Sequence, residues 1–395
     1  MYLEKINLLN FKNYEEASFS FSPQINCFLG GNGSGKTNLL DAIYYLCISK
    51  SAFAANDAQS IRHGADFFLV DGFFHSDGLA ANGAGGRPPE DKVFQITCAL
   101  QKGQRKVILS DKKPYEKLVE HIGRFPVVLI APNDTDLVRE GSEERRRFFD
   151  TMLSQIDPLY LENLVQYNNL LKQRNSLLRL FADRRYSDED MIETYDAPLI
   201  ELAYQLYGQR REFIGIFQPV FQKHYTYLSE SRESVDLVYE SELADPNFRR
   251  DFTHSRVRDL QLQRTNKGAH KDDFIFEING FSLKKFGSQG QQKSFVIALK
   301  LAQFEIIAHH KQFRPLLLLD DIFDKLDDRR IWKLTQMIAD EIFGQLFVTD
   351  ARPERTERFF SGLGTQRHST WRHSVPANAQ PNADQVKVFR MGPSE

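Results

Sequence analysis

Residues 30–37 read Gly30-Gly31-Asn32-Gly33-Ser34-Gly35-Lys36-Thr37 and match the pattern G-x-x-x-x-G-K-T. Residues 24–29, just before them, form an apolar run of the kind found in buried strands. Residues 38–46, just after them, carry apolar side chains at helical spacing. The stretch has the strand–loop–helix context that a phosphate-binding loop requires. It predicts a nucleoside triphosphate site in an α/β fold.

The chemistry of this loop follows from its residue types. Its glycines allow successive backbone N–H groups to point at one anion, and the N-terminus of the next helix adds partial positive charge. Lys36 can reach the β- and γ-phosphates, and the Thr37 hydroxyl can bind Mg²⁺. A chance glycine turn before a helix is the alternative, and the presence of all four fixed residues disfavours it. All eight residues of the loop are therefore predicted nucleotide contacts.

Composition narrows the class of protein. The chain has 395 residues, enough for two or three domains, and a net charge of −2, so any contact with nucleic acid depends on local basic patches. Cys27, Cys47 and Cys98 lie far apart without a C-x-x-C pattern, which argues against a disulfide framework or a zinc site. The N-terminus does not read as a signal peptide, and no apolar run is long enough to span a bilayer. We expect a cytoplasmic protein with no membrane partner.

The hydrophobic period changes twice along the chain. Strand-like segments over residues 1–138 predict the first part of an ATPase domain, and helical spacing over 139–232 predicts a helical arm. The α/β pattern returns over 233–362, so both ends of the chain are predicted to build the ATPase domain. The polar residues 363–395 predict a flexible tail, and the Gly/Ala/Pro-rich residues 76–89 predict a flexible hairpin tip.

A second acidic site follows a predicted buried strand. Residues 316–319 are four leucines, and Asp320 and Asp321 come directly after them. Asp320 is predicted to hold Mg²⁺, and Asp321 to orient or deprotonate the attacking water. An apolar strand that ends in Asp is common by itself. In combination with a phosphate-binding loop earlier in the chain, it is a specific indication of a nucleotide-hydrolysing site.

A turn of small residues, 286–294, precedes this strand and is predicted to open a helix from Phe295. Its backbone N–H groups and the Ser288 hydroxyl can face another anion, although serine caps open many helices. Followed by Gly290 and Gln291, Ser288 begins a motif that resembles the signature of ABC-type ATPases. In that group the signature of one subunit closes on the nucleotide held by the other, which implies that Ser288, Gly290 and Gln291 contact nucleotide.

The motifs together resemble those of the RecF family of bacterial recombination mediators. They occur in the same order between residues 3 and 355, so the resemblance covers nearly the whole chain. Besides the phosphate-binding loop, the Ser288 turn and the Asp320–Asp321 pair, the matching segments are residues 9–14 (LNFKNY), 38–44 (NLLDAIY), 131–134 (APND), 144–150 (ERRRFFD) and 264–273 (RTNKGAHKDD).

This resemblance implies an ABC-type ATPase head like that of SMC proteins, with a short helical arm inserted in it. It implies ATP and Mg²⁺ as ligands, an ATP-dependent homodimer and slow, DNA-stimulated ATP hydrolysis. It also implies binding to single-strand/duplex DNA junctions with little sequence specificity. The implied partner is a RecR-type mediator protein, with which the chain would help to load the recombinase RecA at gaps.

Three features depart from the family pattern. Gly31 stands where relatives usually carry a side chain, which we expect to loosen the loop while keeping its contacts. Arg352 stands in the switch segment where many relatives carry His, and a guanidinium can still reach a γ-phosphate. The insertion at residues 76–89 is unusually long and says nothing about chemistry.

Local basic groups are the candidate contacts for DNA phosphates, although such clusters are more often solvated helix faces. They are Arg145-Arg146-Arg147, Arg184-Arg185, Arg210-Arg211, Arg249-Arg250, and Arg256 with Arg258.

Two other functions are alternatives to this one. An ABC transporter ATPase is disfavoured by the helical arm and by residues 264–273. A scaffold with vestigial nucleotide binding is disfavoured by the intact Lys36, Asp320 and Ser288.

Overall fold

The computed structural model describes residues 1–76, 92–184, 188–229, 233–322, 328–340, 342–352 and 386–392. The predicted hairpin tip lies outside the described residues, except for Ser76. The chain divides into two compact units. Unit 1 combines Met1–Asp134 with the chain from Gln303 onward, and unit 2 is Thr135–Ala302.

The strands are numbered along the chain. They are β1 Tyr2–Phe11, β2 Tyr14–Ser20, β3 Ile25–Leu29, β4 Phe67–Ser76, β5 Lys92–Gln101, β6 Val107–Ser110, β7 Lys113–Pro114, β8 Val127–Ile130, β9 Val235–Glu240, β10 Asp273–Ile278, β11 Phe281–Ser282, β12 Leu316–Leu319, β13 Leu346–Asp350 and β14 Val386–Arg390.

The helices are numbered in the same way. They are α1 Lys36–Ile48, α2 Asp136–Arg139, α3 Ser142–Ile156, α4 Pro158–Arg184, α5 Glu189–Ser229, α6 Phe248–His254, α7 Arg256–Leu262, α8 Leu283–Phe286, α9 Gln289–Lys311 and α10 Asp328–Ala339. In the described part of the chain, none of them is long and apolar enough to cross a bilayer.

A parallel sheet of five strands lies at the centre of unit 1, in the order β14-β3-β13-β12-β8. Strands β8 and β12 are buried along their whole length, which explains why their sequences are continuous apolar runs rather than alternating ones. Because the strands are parallel, their carboxyl ends share one edge, where ligands bind in open α/β sheets. The loop after β3, the carboxylates after β12 and the end of β13 meet at that edge.

The second sheet of unit 1 has six antiparallel strands, in the order β2-β1-β4-β5-β6-β7. Helix α1 contacts β1, β4 and β5 of this sheet and β8 and β13 of the parallel sheet. One hydrophobic core therefore runs through both sheets and α1, with Ile43, Leu46, Phe68 and Phe347 among its buried members. This packing fixes the helix that follows the phosphate-binding loop.

The C-terminal residues correct one prediction. Residues 386–390 form β14, which pairs in parallel with β3, so a flexible tail over 363–395 is wrong for this segment. Phe389 packs on Phe28 with ring centroids 4.7 Å apart, and Phe19 and Phe21 also contact it. These ring contacts add to the backbone pairing with β3 in holding the strand.

Unit 2 contains the two long helices that the helical spacing predicts. Asp188 caps α5, because its carboxylate accepts from the Met191 N–H at 3.0 Å. The unit also contains the sheet β11-β10-β9, where Phe149 of α3 stacks on Phe274 of β10 at 4.1 Å. Residues 233–302 thus group with the arm helices, whereas the sequence assigns them to the ATPase domain.

Candidate nucleotide-binding site

The phosphate-binding loop connects β3 to α1, and its glycines are not equivalent. Gly33 and Gly35 have φ angles of 83° and 91°, in the left-handed region that favours glycine. Gly31 has no positive φ, and a Cβ added there would meet nothing within 4 Å. The backbone therefore requires glycine at 33 and 35 and leaves room for a side chain at 31.

Two residues of the β1–β2 hairpin hold the start of α1. The Tyr14 hydroxyl donates to the Gly35 carbonyl at 3.0 Å, and the Asn38 amide donates to Asn13 Oδ1 at 2.6 Å. Burial raises the pKa of Tyr14 well above its ordinary value, so the hydroxyl stays protonated and can donate. Sequence reasoning quoted Asn13 and Tyr14 within a family motif but gave them no role.

The Lys36 side chain lies inside the loop. Its Nζ donates to the carbonyls of Gly30 at 2.7 Å and Gly31 at 2.9 Å, and the residue is 4% exposed. The buried hydroxyl of Ser34 has no hydrogen-bond partner among the described residues. A phosphate entering the loop would replace the neutral carbonyl acceptors of Lys36 with anionic oxygens, so that each hydrogen bond would also be an ion pair.

Asp320 lies directly against the loop. The Thr37 hydroxyl donates to its two carboxylate oxygens at 2.9 and 3.0 Å, although the residues are 283 positions apart. Burial raises the pKa of the Asp320 carboxyl, and hydrogen bonds from Thr349 and Thr37 act in the opposite direction. A hydroxyl and a carboxylate are the hard oxygen donors that Mg²⁺ prefers, so the two residues fit this ion. Among the described residues no cluster of three or more His, Cys, Asp or Glu side chains suits a metal, so phosphate oxygens and water would complete the shell.

Asp321 follows with an unusual backbone. Its φ is 41°, in the left-handed region, and its N–H donates to Thr349 Oγ1 at 2.9 Å. Thr349 lies at the end of β13 and was not among the predicted site residues. No sequence signal separates it from an ordinary strand threonine, because its contacts depend on how β13 pairs with β12.

Arg352 comes shortly after β13, at the same sheet edge. Its N–H donates to Asp350 Oδ1 at 2.9 Å, and the residue is exposed. The structure thus brings together the loop residues 30–37, Asp320, Asp321 and the segment that carries Arg352.

The predicted signature residues belong to unit 2. Helix α9 begins at Gln289, not at Phe295 as predicted, so Gly290 and Gln291 are in its first turn. The Gln291 N–H donates to Ser288 Oγ at 3.2 Å, and the Ser288 N–H donates to Gln291 Oε1 at 2.7 Å. This reciprocal pair is a capping box, which fixes the start of α9.

Several arginines predicted to contact DNA instead form ion pairs or hydrogen bonds within the protein. Arg210 is 2% exposed and pairs with Asp150 and Asp272 at 2.8 Å each. The prediction for Arg210 is therefore wrong, because its guanidinium is buried and its donors bond to Asp150 and Asp272 inside the protein. Arg145, Arg146 and Arg256 are also partly buried, and their partners are Asp273, the Asp272 carbonyl and Asp196, respectively.

The other arginines face solvent. Arg249 and Arg250 are exposed and pair with Glu201 and Asp251, respectively. Of the other arginines predicted to contact DNA, four are exposed and have no salt bridge to a described residue, namely Arg147, Arg184, Arg211 and Arg258. Arg185 lies outside the described residues.

Comparison with known proteins identifies relatives along nearly the whole chain. Residues 2–370 match the profile of the family described as "RecF/RecN/SMC N terminal domain". The "DNA replication and repair protein RecF" of Cytophaga hutchinsonii is 48% identical over 360 residues, which cover 91% of this chain and 92% of the relative. The protein of the same description from Flavobacterium johnsoniae is 46% identical over 357 residues, covering 90% and 96%.

A solved structure described as "Structure of the recombination mediator protein RecF-ATP in RecFOR pathway" shares the fold. It superposes with a TM-score of 0.76 at 28% sequence identity, covering 89% of this chain and 93% of the solved one.

Proposed function

This chain belongs to the RecF family, and on that premise we propose that it is an ATP-switched DNA-binding protein of replication and recombinational repair. It binds single-strand/duplex junctions as an ATP-closed homodimer and helps to load a recombinase at gaps. The observation that carries the proposal is the contact between Thr37 and Asp320, which joins a phosphate-binding loop to an acidic strand end. ATP as the nucleotide agrees with the description of the related solved structure as RecF-ATP.

In the proposed mechanism the loop binds the triphosphate. Backbone N–H groups of residues 30–35 face the phosphates, and Lys36 moves from the carbonyls of Gly30 and Gly31 to the β- and γ-oxygens. Thr37 and Asp320 would hold Mg²⁺, which would supply positive charge where negative charge develops on the phosphates. Asp321 orients the attacking water and accepts its proton, and Arg352 contacts the γ-phosphate.

The second half of the site comes from another copy of the chain. In the proposed dimer the turn of Ser288, Gly290 and Gln291 from one subunit meets the γ-phosphate held by the other. The capping box supports this role, because it orients the first N–H groups of α9 and the partial positive charge of the helix terminus. ADP lacks a γ-phosphate and is therefore expected to pair the subunits poorly.

DNA contacts are assigned to exposed cations. Arg147, Arg184, Arg211 and Arg258 face solvent and are suited to phosphate contact rather than base reading. This agrees with binding that depends little on sequence. A RecR-type protein is the proposed partner, in line with the RecFOR pathway in the description of the related structure.

Two inactive variants test the shared site. Asp321→Asn is expected to bind ATP and hydrolyse it poorly, because the water loses its base. Ser288→Arg is expected to be inactive, because a bulky cation fills the signature turn. In a mixed dimer one site carries both defects and the other is intact. An equal mixture is therefore expected to recover about a quarter of normal ATPase activity if the subunits pair randomly and the two sites are independent.

Controls make this result interpretable. Each variant alone must be inactive, and mixed dimers must be shown by differently tagged chains. Mixed dimers that form without any recovered hydrolysis contradict independent shared sites. Full activity of Ser288→Arg alone rejects the signature assignment.

A further inference from the structure

The Thr349 side chain joins the two acidic residues of the site. Its Oγ1 donates to Asp320 Oδ1 at 2.8 Å and accepts from the Asp321 N–H at 2.9 Å. Thr349 is fully buried and Asp320 is 3% exposed. Because an ionised carboxylate only accepts and a backbone N–H only donates, the direction of both bonds is fixed.

The bond to Asp321 occurs where β12 leaves the sheet. The Asp320 N–H still donates to the Ile130 carbonyl of β8 at 2.8 Å, as expected of a strand residue. At Asp321 the backbone turns into the left-handed region, and its N–H bonds to a side chain instead of a strand carbonyl. A non-glycine residue in that region needs support from its surroundings, and the Thr349 hydroxyl supplies it.

We propose that Thr349 is a positioning residue for ATP hydrolysis, which holds Asp321 in the backbone conformation from which its carboxylate acts as base. The same hydroxyl would keep the Asp320 carboxylate oriented if Thr37 and Asp320 held a metal ion. The proposal rests on the proposed role of Asp321. It adds to that role a link from the catalytic base to β13, the strand that leads to Arg352.

If Thr349 has this role, loss of its hydroxyl slows the chemical step without weakening nucleotide binding. Thr349 is not part of the loop that binds phosphate, and it contacts the proposed metal ligands only through Asp320. Its hydroxyl is therefore not needed for nucleotide affinity when Mg²⁺ is absent. Misplacement of a catalytic group by about 1 Å is enough to slow the chemical step by about a hundredfold, and smaller shifts slow it less.

The test compares Thr349→Val, which removes the hydroxyl at nearly constant volume, with Thr349→Ser, which keeps it. We expect Thr349→Val to lower the single-turnover rate of ATP hydrolysis by about tenfold to a hundredfold. Calorimetry in the absence of Mg²⁺ is expected to show unchanged affinity for ATP and ADP, and Thr349→Ser to restore the rate. Thr97→Val is the matched control, because Thr97 is also buried and donates to a carboxylate, that of Asp71, in the antiparallel sheet. It is expected to leave the rate unchanged.

A double-variant cycle shows whether Thr349 acts through Asp321. If it does, Thr349→Val slows the Asp321→Asn enzyme no further, because residues that act as a unit are not additive. If Thr349→Val does not fold, Thr349→Ala takes its place with the same expectations.

Two results overturn the inference alone. One is a normal rate in Thr349→Val when Asp321→Asn is inactive. The other is a loss of nucleotide affinity and thermal stability in parallel with the rate, which indicates a purely structural role. Full activity of Asp321→Asn is a different failure, because it removes the catalytic base from the proposed function and the inference with it.

Discussion

Two glycines of the phosphate-binding loop have opposite steric surroundings. A Cβ on Gly35 would lie 2.7 Å from the Tyr14 hydroxyl and 2.8 Å from Asn13 Nδ2, with φ at 91°. A Cβ on Gly31 would meet nothing within 4 Å, so the folded loop has room for a side chain there.

Alanine at the two positions is therefore expected to act in opposite directions. Gly31→Ala restricts the unfolded chain and is expected to stabilise the protein by about 0.4–1 kcal/mol, with ADP affinity retained. Gly35→Ala is expected to destabilise it by more than about 1 kcal/mol and to weaken ADP binding, because Tyr14 and Asn13 must move. Thermal unfolding and calorimetry measure both effects. Loss of ADP affinity in Gly31→Ala contradicts this account of the loop.

The site residues that sequence reasoning predicts are those with a local pattern. Lys36 and Thr37 are given by the spacing within the loop, and Asp320 by its place after an apolar strand. Thr349 and Tyr14 have no such pattern, because each acts across a strand pairing or a hairpin contact. Arg210 shows the opposite error, since a basic pair in sequence does not reveal that one member is buried and paired with internal carboxylates.

At the scale of elements, β14 has the largest consequence for the site. The Met391 N–H donates to the Leu29 carbonyl at 2.7 Å, and the Met391 carbonyl lies 2.5 Å from the position of a Cβ on Gly30. The strand thus extends along β3 as far as the first residue of the phosphate-binding loop. Five residues inside a polar segment are too short a run for periodicity to predict a strand, and the pairing with β3 is non-local.

Removing the aromatic anchor of β14 is expected to affect nucleotide binding. Phe389→Ala should destabilise unit 1 on the order of 1–2 kcal/mol, since full burial of a Phe side chain contributes about 1.5–3 kcal/mol. It should also weaken ADP affinity several-fold, because Met391 loses its place beside Gly30. Val388→Ala is the control on the same strand, where the side chain is 52% exposed and both effects should be small. Unchanged ADP affinity in Phe389→Ala would show that β14 does not support the phosphate-binding loop.

At the scale of the whole molecule, the ABC-type head predicted from the sequence is confirmed by the family match and by the shared fold. Strand order explains why both chain ends are needed, because β3 pairs with β13 and β14 and not with its neighbours in sequence. The return of the α/β pattern after the helical residues predicts this arrangement. The sequence does not predict that unit 2 extends to Ala302, because β9 and β10 have the alternating pattern of any antiparallel sheet.

The central claim is that ATP pairs two copies of this chain through their signature turns. Sedimentation velocity measures it most directly, with Asp321→Asn used so that ATP persists during the run. Dimers are expected with ATP, and monomers with ADP or without nucleotide. Identical sedimentation with ATP, with ADP and without nucleotide would contradict it.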